Sequence, residues 1–388
     1  MKVLFVTHHY LDDNSGGSFA SRAYVNAFSE IADSCMLIYP YRGIAIRNFI
    51  HPNCILKAVP YNVRKIQKLV DVYRGRLHRY TDVMLPQILE FKPDIVVFDN
   101  SRTTAGALKQ VKQLGIKTIC IHHNYEMEYY RGTKPPLAWR FPFLYYMEKA
   151  ERTAIQQTDL NLTLTNEDVN LLQTHYDPDK TKKIEKLGSF EPATSLNLTE
   201  DENKTKTTGL NFAITGTLDS YQTEISVIPF LENEYPELLK KLPESKLLIA
   251  GRNPSSKMIE VCAKHSSINL IANPENMQDV IAQADVYICP TCVGGGLKLR
   301  VMDGLKGGLP VLTHTVSARG YNDFEEANCL FSYNDTVGFV AGLNKLLVAL
   351  NSGNLNKKTI KDLYYSIFSF EAGVTRLKNI LNEHKLLG

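Results

Sequence analysis

Short apolar runs alternate with longer amphipathic stretches along most of this chain, the pattern of buried parallel strands separated by helices. Lys2-Val-Leu-Phe-Val opens it as a strand, and Ser18 to Ile31 follows as a helix. Met36-Leu-Ile-Tyr, Ile95-Val-Val-Phe and Thr118-Ile-Cys-Ile read as the second, third and fourth strands. A polar interval, Pro192 to Thr208, has no apolar face and predicts a linker. A second set then begins: Asn211-Phe-Ala-Ile-Thr, Lys246-Leu-Leu-Ile-Ala, Ile268-Asn-Leu-Ile, Val286-Tyr-Ile-Cys and Val311-Leu-Thr. The fold class expected is α/β, with two doubly wound Rossmann-like domains. The boundaries expected are 1–191, a linker 192–208, a second domain 209–365, and a C-terminal helix 366–388 packing back on the first domain. Ligands of such sheets bind beyond the carboxyl ends of the strands, so two domains facing each other predict one central cleft.

The most informative segment runs from Asp285 through Pro290, Gly294-Gly295-Gly296, Lys298, Arg300 and Asp303 to Pro310-Val-Leu. An apolar strand enters three glycines, and Leu299, Met302 and Leu305 then recur at helical spacing. Glycines let backbone approach a ligand, a helix start presents unpaired N–H groups to phosphate, and two cations beside them neutralise a diphosphate. Asp303, further into the helix, can accept hydrogen bonds from ribose hydroxyls. On its own the pattern also fits a structural glycine-rich turn with a solvated basic helix start.

Composition narrows the classes. A chain of 388 residues with 44% apolar content supports two ordinary cores, and a net charge of +3 is too small to argue for a nucleic-acid partner. There is no apolar span of membrane-crossing length, and the N-terminal apolar run reaches His8, His9 and Asp12 too soon for a signal peptide; the location expected is cytoplasmic. Seven scattered cysteines do not form a secreted disulfide framework. Cys289-Pro-Thr-Cys292 has the spacing of a metal or redox pair but lacks a second pair nearby, and reads more simply as buried apolar packing.

The triple-glycine segment resembles the donor-site signature of GT-B glycosyltransferases close to glycosyltransferase family 4. Leu247-Leu-Ile-Ala-Gly251-Arg252-Asn-Pro254 resembles that family's strand ending in Gly-x-x-Pro, and Ser317-Ala-Arg319-Gly320-Tyr321 resembles its following turn. The resemblance covers about residues 210 to 345 well and the N-terminal half more loosely. It implies a GT-B fold and transfer of a sugar from a nucleoside diphosphate donor, such as a UDP-sugar, to a glycan or lipid-linked acceptor, with retention of configuration, in surface polysaccharide or glycoconjugate synthesis. Arg252, Gly294, Gly295, Gly296, Lys298, Arg300 and Asp303 become the expected donor-binding residues, and neither a cofactor nor a metal is expected. Two departures stand out. Thr215 to Glu224 lacks the Arg and Lys that many members carry there, and the paired-glutamate motif reads Gly295 and Asp303. A non-catalytic nucleotide-sugar-binding partner subunit, or a GT-B epimerase or phosphorylase, are the competing readings.

Three N-terminal motifs belong with the expected cleft. Asn14-Ser15-Gly16-Gly17-Ser18 lies between the first strand and its helix, where Gly16 and Gly17 form an acceptor or phosphate loop or simply a turn. Asp99-Asn100-Ser101 closes the third strand, with Asn100 lining the site. His122-His123-Asn124-Tyr125-Glu126 follows the fourth strand and lacks an apparent third metal ligand. Its His-Asn-x-Glu order resembles the family's acceptor-side motif, which implies that His123 lies near the transferred sugar and Glu126 acts as acid/base or orients the acceptor. The sole Asp-x-Asp, Asp177-Pro-Asp179, reads as a turn. Finally, Val63, Ile66, Val70, Tyr73, Leu77, Tyr80 and Met84 recur every three or four residues with six basic residues between them. Residues 63–84 therefore form either a core-packed helix with a basic outer face or a helix drawn to anionic lipid at the inner face of the plasma membrane.

Overall fold

The computed structural model describes residues 1–13, 15–60, 66, 70, 73, 81–133, 137–193, 209–353 and 355–387. The chain divides into two compact units, Met1–Ser195 with Ile367–Gly388, and Leu196–Ser366.

In the first unit seven parallel strands lie in the order β3-β2-β1-β4-β5-β6-β7. They are β1 (Lys2–Thr7), β2 (Ser34–Tyr41), β3 (Cys54–Pro60), β4 (Ile95–Asp99), β5 (Lys117–His122), β6 (Leu160–Thr163) and β7 (Ile184–Lys186). Central strands β1 and β4 are buried along nearly their whole length. That is why their sequences are continuous apolar runs. The order reverses between β1 and β4, so the chain leaves β1 toward one side and β4 toward the other, opening a crevice at their carboxyl ends. Thr7 pairs with Asp99, and Asp99 with Ile121, which fixes the height at which the following residues emerge.

β3, β6 and β7 were not among the strands expected. β3 is mostly exposed at the sheet edge, with only Cys54 and Val59 buried, and β7 is only three residues long, so neither shows a buried apolar run. β6, Leu160-Asn-Leu-Thr, is wholly buried but polar at every second position.

The C-terminal helix Phe370–Glu383 belongs to this unit. A side chain at Gly373 would come within 2.1 Å of the Phe190 ring. Arg376 donates to the carbonyls of Leu187 (3.0 Å) and Ser189 (3.2 Å). Most of residues 63–84 lie outside the described residues. Of those described, Ile66 (72% exposed), Val70 and Tyr73 are exposed and Met84 is buried.

The second unit has six parallel strands in the order β10-β9-β8-β11-β12-β13. These are β8 (Asn211–Thr217), β9 (Lys246–Arg252), β10 (Ile268–Ala272), β11 (Val286–Cys289), β12 (Val311–His314) and β13 (Leu330–Tyr333). Its reversal lies between β8 and β11. One large cluster including Phe212, Ile214, Phe230, Tyr235, Ile249, Ile288 and Phe339 forms the core. Gly216 and Gly251 stand opposite each other in the β8–β9 pair, and a Cβ on Gly251 would sit 1.7 Å from the Gly216 carbonyl oxygen. Among the described residues, no helix is long and apolar enough to cross a membrane.

Candidate active site

Each unit gathers polar side chains at its own switch point. In the first, β1 runs into His8 and His9, β4 ends in Asp99 and Asn100, and β5 ends in His122 before His123. Nε2 of His123 lies 2.6 Å from Oδ1 of Asp99, and the Ser21 hydroxyl donates to Oδ2 of the same carboxylate. Asp99 is wholly buried and His123 is 8% exposed. Burial works against both charges, but the pair overrides it: Asp99 and Glu126 raise His123 above the ordinary histidine range, and His123 holds Asp99 below the ordinary carboxylate range. Both shifts favour the imidazolium–carboxylate form of the pair.

The His9 ring lies 4.9 Å from that of His123 and covers Gly17, where any Cβ would meet it at 2.2 Å. Burial, then the charge of His123, lowers His9 to about 3, so it is neutral; its Nε2 is buried without a hydrogen-bond partner. Ring nitrogens of His9 and His123 and a carboxylate oxygen of Asp99 lie within 4.8 Å of one another, a grouping that the sequence did not reveal. The 2.6 Å separation in the histidine–aspartate pair is that of a charge-assisted hydrogen bond.

His122 faces the other way, as alternation along an extended strand requires. Its Nε2 lies 3.0 Å from Asn161 Oδ1, and burial lowers it to about 4. Glu126 begins the helix Glu126–Thr133, and its Oε1 receives the Asn100 side-chain amide at 2.6 Å. Gly16 and Gly17 open the helix Gly16–Ile31, capped by the Ser15 side chain. Arg102, just beyond β4, lies 5.1 Å above the Tyr130 ring and 5.3 Å above that of Phe143. Asp177 is committed to its turn, accepting from Thr181 and Lys182 N–H groups.

In the second unit the glycine segment lies between β11 and the helix Leu299–Lys306. Gly294 and Gly296 have φ of 85° and 68°, where side chains are strained, so both glycines are required by the backbone. Lys298 curls over the loop and donates from Nζ to the Gly295 carbonyl at 2.7 Å, and its own carbonyl accepts the buried Tyr321 hydroxyl at 2.8 Å. Arg300 crosses Gly216, where a Cβ would stand 2.5 Å from its Cζ, and donates to Thr223 Oγ1 at 2.7 Å. Thr223 lies in the first turn of the helix Tyr221–Lys241, capped by Ser220. Gln222 Nε2 is buried there without a partner, beside Gly294 and near the Lys298 amine.

Lys298, Arg300 and the three glycines thus converge on one long helix N-terminus, a charge arrangement suited to a phosphate group. Asp303 stands one turn into its helix; after burial, its charge is what raises the Tyr287 phenol. Arg252 is exposed at the end of β9 and accepts Leu218 N–H through its carbonyl (2.8 Å). Gly216, Gln222, Thr223 and His9 were missed in the sequence. Their signal was position alone, at the carboxyl end of β1 or β8 or in the segment that follows it.

Two parallel doubly wound sheets with these sites define an α/β protein of the GT-B glycosyltransferase fold. Over its whole length the chain superimposes on proteins of that fold. A glycosyltransferase from Rickettsia africae matches with TM-score 0.68 and 13% identity, covering 99% of this chain and 98% of that one. Sucrose-phosphate synthase from Thermosynechococcus elongatus matches with TM-score 0.69 and 11% identity over 100% of both chains. The Anabaena protein HepE, in complex with UDP, matches with TM-score 0.66 and 8% identity over 99% of this chain and 100% of that one. No curated protein matches by sequence. Residues 211–348 match the family model for glycosyl transferases group 1. The second unit therefore carries a group 1 glycosyltransferase domain, within a chain of GT-B fold.

Proposed function

We propose that the protein transfers a hexosyl residue from a nucleoside diphosphate sugar to a glycan or lipid-linked acceptor, with retention of configuration and without a metal or cofactor. The observation that carries this reading is the convergence of Lys298, Arg300 and the glycine loop on the Thr223 helix start. Breaking the glycosidic C–O bond leaves an oxocarbenium-like sugar and puts negative charge on the departing diphosphate. Fixed cations and amides stabilise that charge, at about 2–4 kcal/mol of barrier for each donor. With two side-chain cations there, a divalent ion is not needed. Asp303 accepts from the ribose, and Arg252 adds a cation from the neighbouring strand. His123 and Glu126 act on the transferred sugar and the acceptor hydroxyl, with Gly16, Gly17 and Asn100 lining their side.

UDP is the favoured nucleotide, because HepE of the same fold is described in complex with it. The acceptor class fits surface polysaccharide or glycoconjugate synthesis at the cytoplasmic face of a membrane. The exposure of Ile66, Val70 and Tyr73 amid a basic sequence supports a peripheral contact there.

The test is UDP release from a panel of UDP-hexoses by the full-length protein, with and without EDTA. Turnover of one donor that survives chelation supports the reading. Absence of turnover with every nucleotide sugar, or loss on chelation restored by magnesium, overturns it or its metal-free clause respectively.

A further inference from the structure

Asn100, at the end of β4, has φ 83° and ψ 140°, a conformation that glycine holds easily and that strains any residue with a side chain. The surroundings over-determine it. Its N–H donates to the Ile121 carbonyl (2.8 Å), and its own carbonyl accepts from the Thr103 N–H (3.0 Å) and hydroxyl (2.8 Å). Its side-chain Oδ1 accepts the Arg102 N–H at 3.0 Å. That last bond settles the amide orientation, because a backbone N–H can face only the oxygen. The amino group is then the end turned toward Glu126, 2.6 Å from Oε1. An amino group only donates, so Oε1 meets it with a lone pair and is fixed in place as an acceptor. Among the described residues no hydrogen bond reaches the other oxygen, Oε2.

A second carboxyl stands behind. Glu151, on the helix Leu137–Gln157, is wholly buried. Its Oε1 accepts the Glu126 N–H (2.9 Å) and its Oε2 the Tyr176 hydroxyl (3.0 Å). Burial first, and then the charge of Glu126, push the Glu151 carboxyl well above the ordinary range. Next door the Tyr125 N–H donates to Asp168 (3.0 Å), so the start of the Glu126 helix is anchored at two successive amides. The other titratable groups that respond to the charge of Glu126 are His123, Tyr129 and the buried Cys120 thiol, with Arg102 as the cation beside Tyr129.

We propose that Asn100 and Glu151 are positioning residues that confine a single negative charge to Glu126, whose Oε2 then accepts a hydrogen bond from the hydroxyl of the incoming acceptor. This rests on the function proposed above. The strain at Asn100 is retained because glycine, which would relieve it, has no amide to give.

Two full-length variants test it. Asn100→Gly keeps the backbone and removes the amide; it should melt no lower than about the wild type while kcat for UDP release from the best UDP-hexose falls ten- to hundred-fold at unchanged donor KM. Asn100→Asp keeps the acceptor for Arg102 but sets a carboxylate against Glu126. Its activity should be lost at pH 8 and recover toward pH 5, where the two carboxyls share a proton, a profile that a purely structural role would not give. Carboxyl-carbon NMR, with Glu126 assigned by its absence in Glu126→Gln, should show that resonance titrating at higher pH in Asn100→Asp than in wild type. Wild-type kcat and pH profile in both variants, or an unmoved Glu126 resonance, would overturn the proposal. If the wild type turns over no nucleotide sugar, the proposed function fails, and the NMR titration alone decides where the charge lies.

Discussion

Replacing Asp99 by Asn tests whether the buried pair at the head of β4 and β5 is charged. In the native protein Asp99 has no solvent exposure, and His123 approaches it to 2.6 Å. Removing one partner of such a pair costs about 3–5 kcal/mol if the other stays charged. His123 can escape part of that cost by releasing its proton, leaving mainly the weakened hydrogen bonds to Ser21 and the ring, about 1–2 kcal/mol.

The loss should therefore depend on pH, with a definite sign. In the wild type the folded pKa of His123 is raised, so its contribution is full below the unfolded histidine value and fades as pH rises through the folded one. In Asp99→Asn burial, the largest influence on His123, is opposed only by the charge of Glu126, so the folded value drops and stability falls as pH drops below the unfolded value. Both effects widen the gap in acid. Neutral His8 and His9 are lowered in both proteins and largely cancel. Urea unfolding of the first unit at pH 5, 6.5 and 8 should give a destabilisation of about 3–5 kcal/mol at pH 5, shrinking to about 1–2 kcal/mol at pH 8. A difference that is flat with pH, or larger at pH 8, would refute the charged pair.

Four further outcomes are expected. His123→Ala should lower kcat by about 100-fold with UDP affinity nearly unchanged. His122→Ala, which removes the core bond to Asn161, should instead cost about 1–3 kcal/mol of stability by denaturant titration with little effect on kcat. Lys298→Ala and Arg252→Ala should each weaken UDP binding by roughly 1.5–3 kcal/mol in calorimetric titration, and wild-type affinity in both would remove the donor-site assignment. Ile66→Asp with Tyr73→Asp should abolish sedimentation with phosphatidylglycerol vesicles while leaving binding of UDP intact; retention by the vesicles would eliminate the membrane contact.

Buried strands of a parallel sheet are apolar on both faces, so β1, β2, β4 and β5 and the five matching runs of the second half were legible as local composition. The glycine segment was legible too, because Gly294 and Gly296 occupy backbone conformations that only the residue type records. Asn100 and Glu126 could be named from their places at strand ends. Their 2.6 Å bond could not, since it depends on the register of β4 against β5. Pairing is what the tertiary structure decided. His9, Asp99 and His123 are separated by 90 and 24 residues, and only the β1-β4-β5 neighbourhood turns three scattered polar residues into one electrostatic unit. Glu151 and Thr223 look like ordinary polar positions on amphipathic helices. Their significance arises from packing, which removes water from one and brings Arg300 across Gly216 to the other. Sequence records what a strand or turn requires of its own residues, whereas charge state and bond partners are properties of the neighbours that folding supplies.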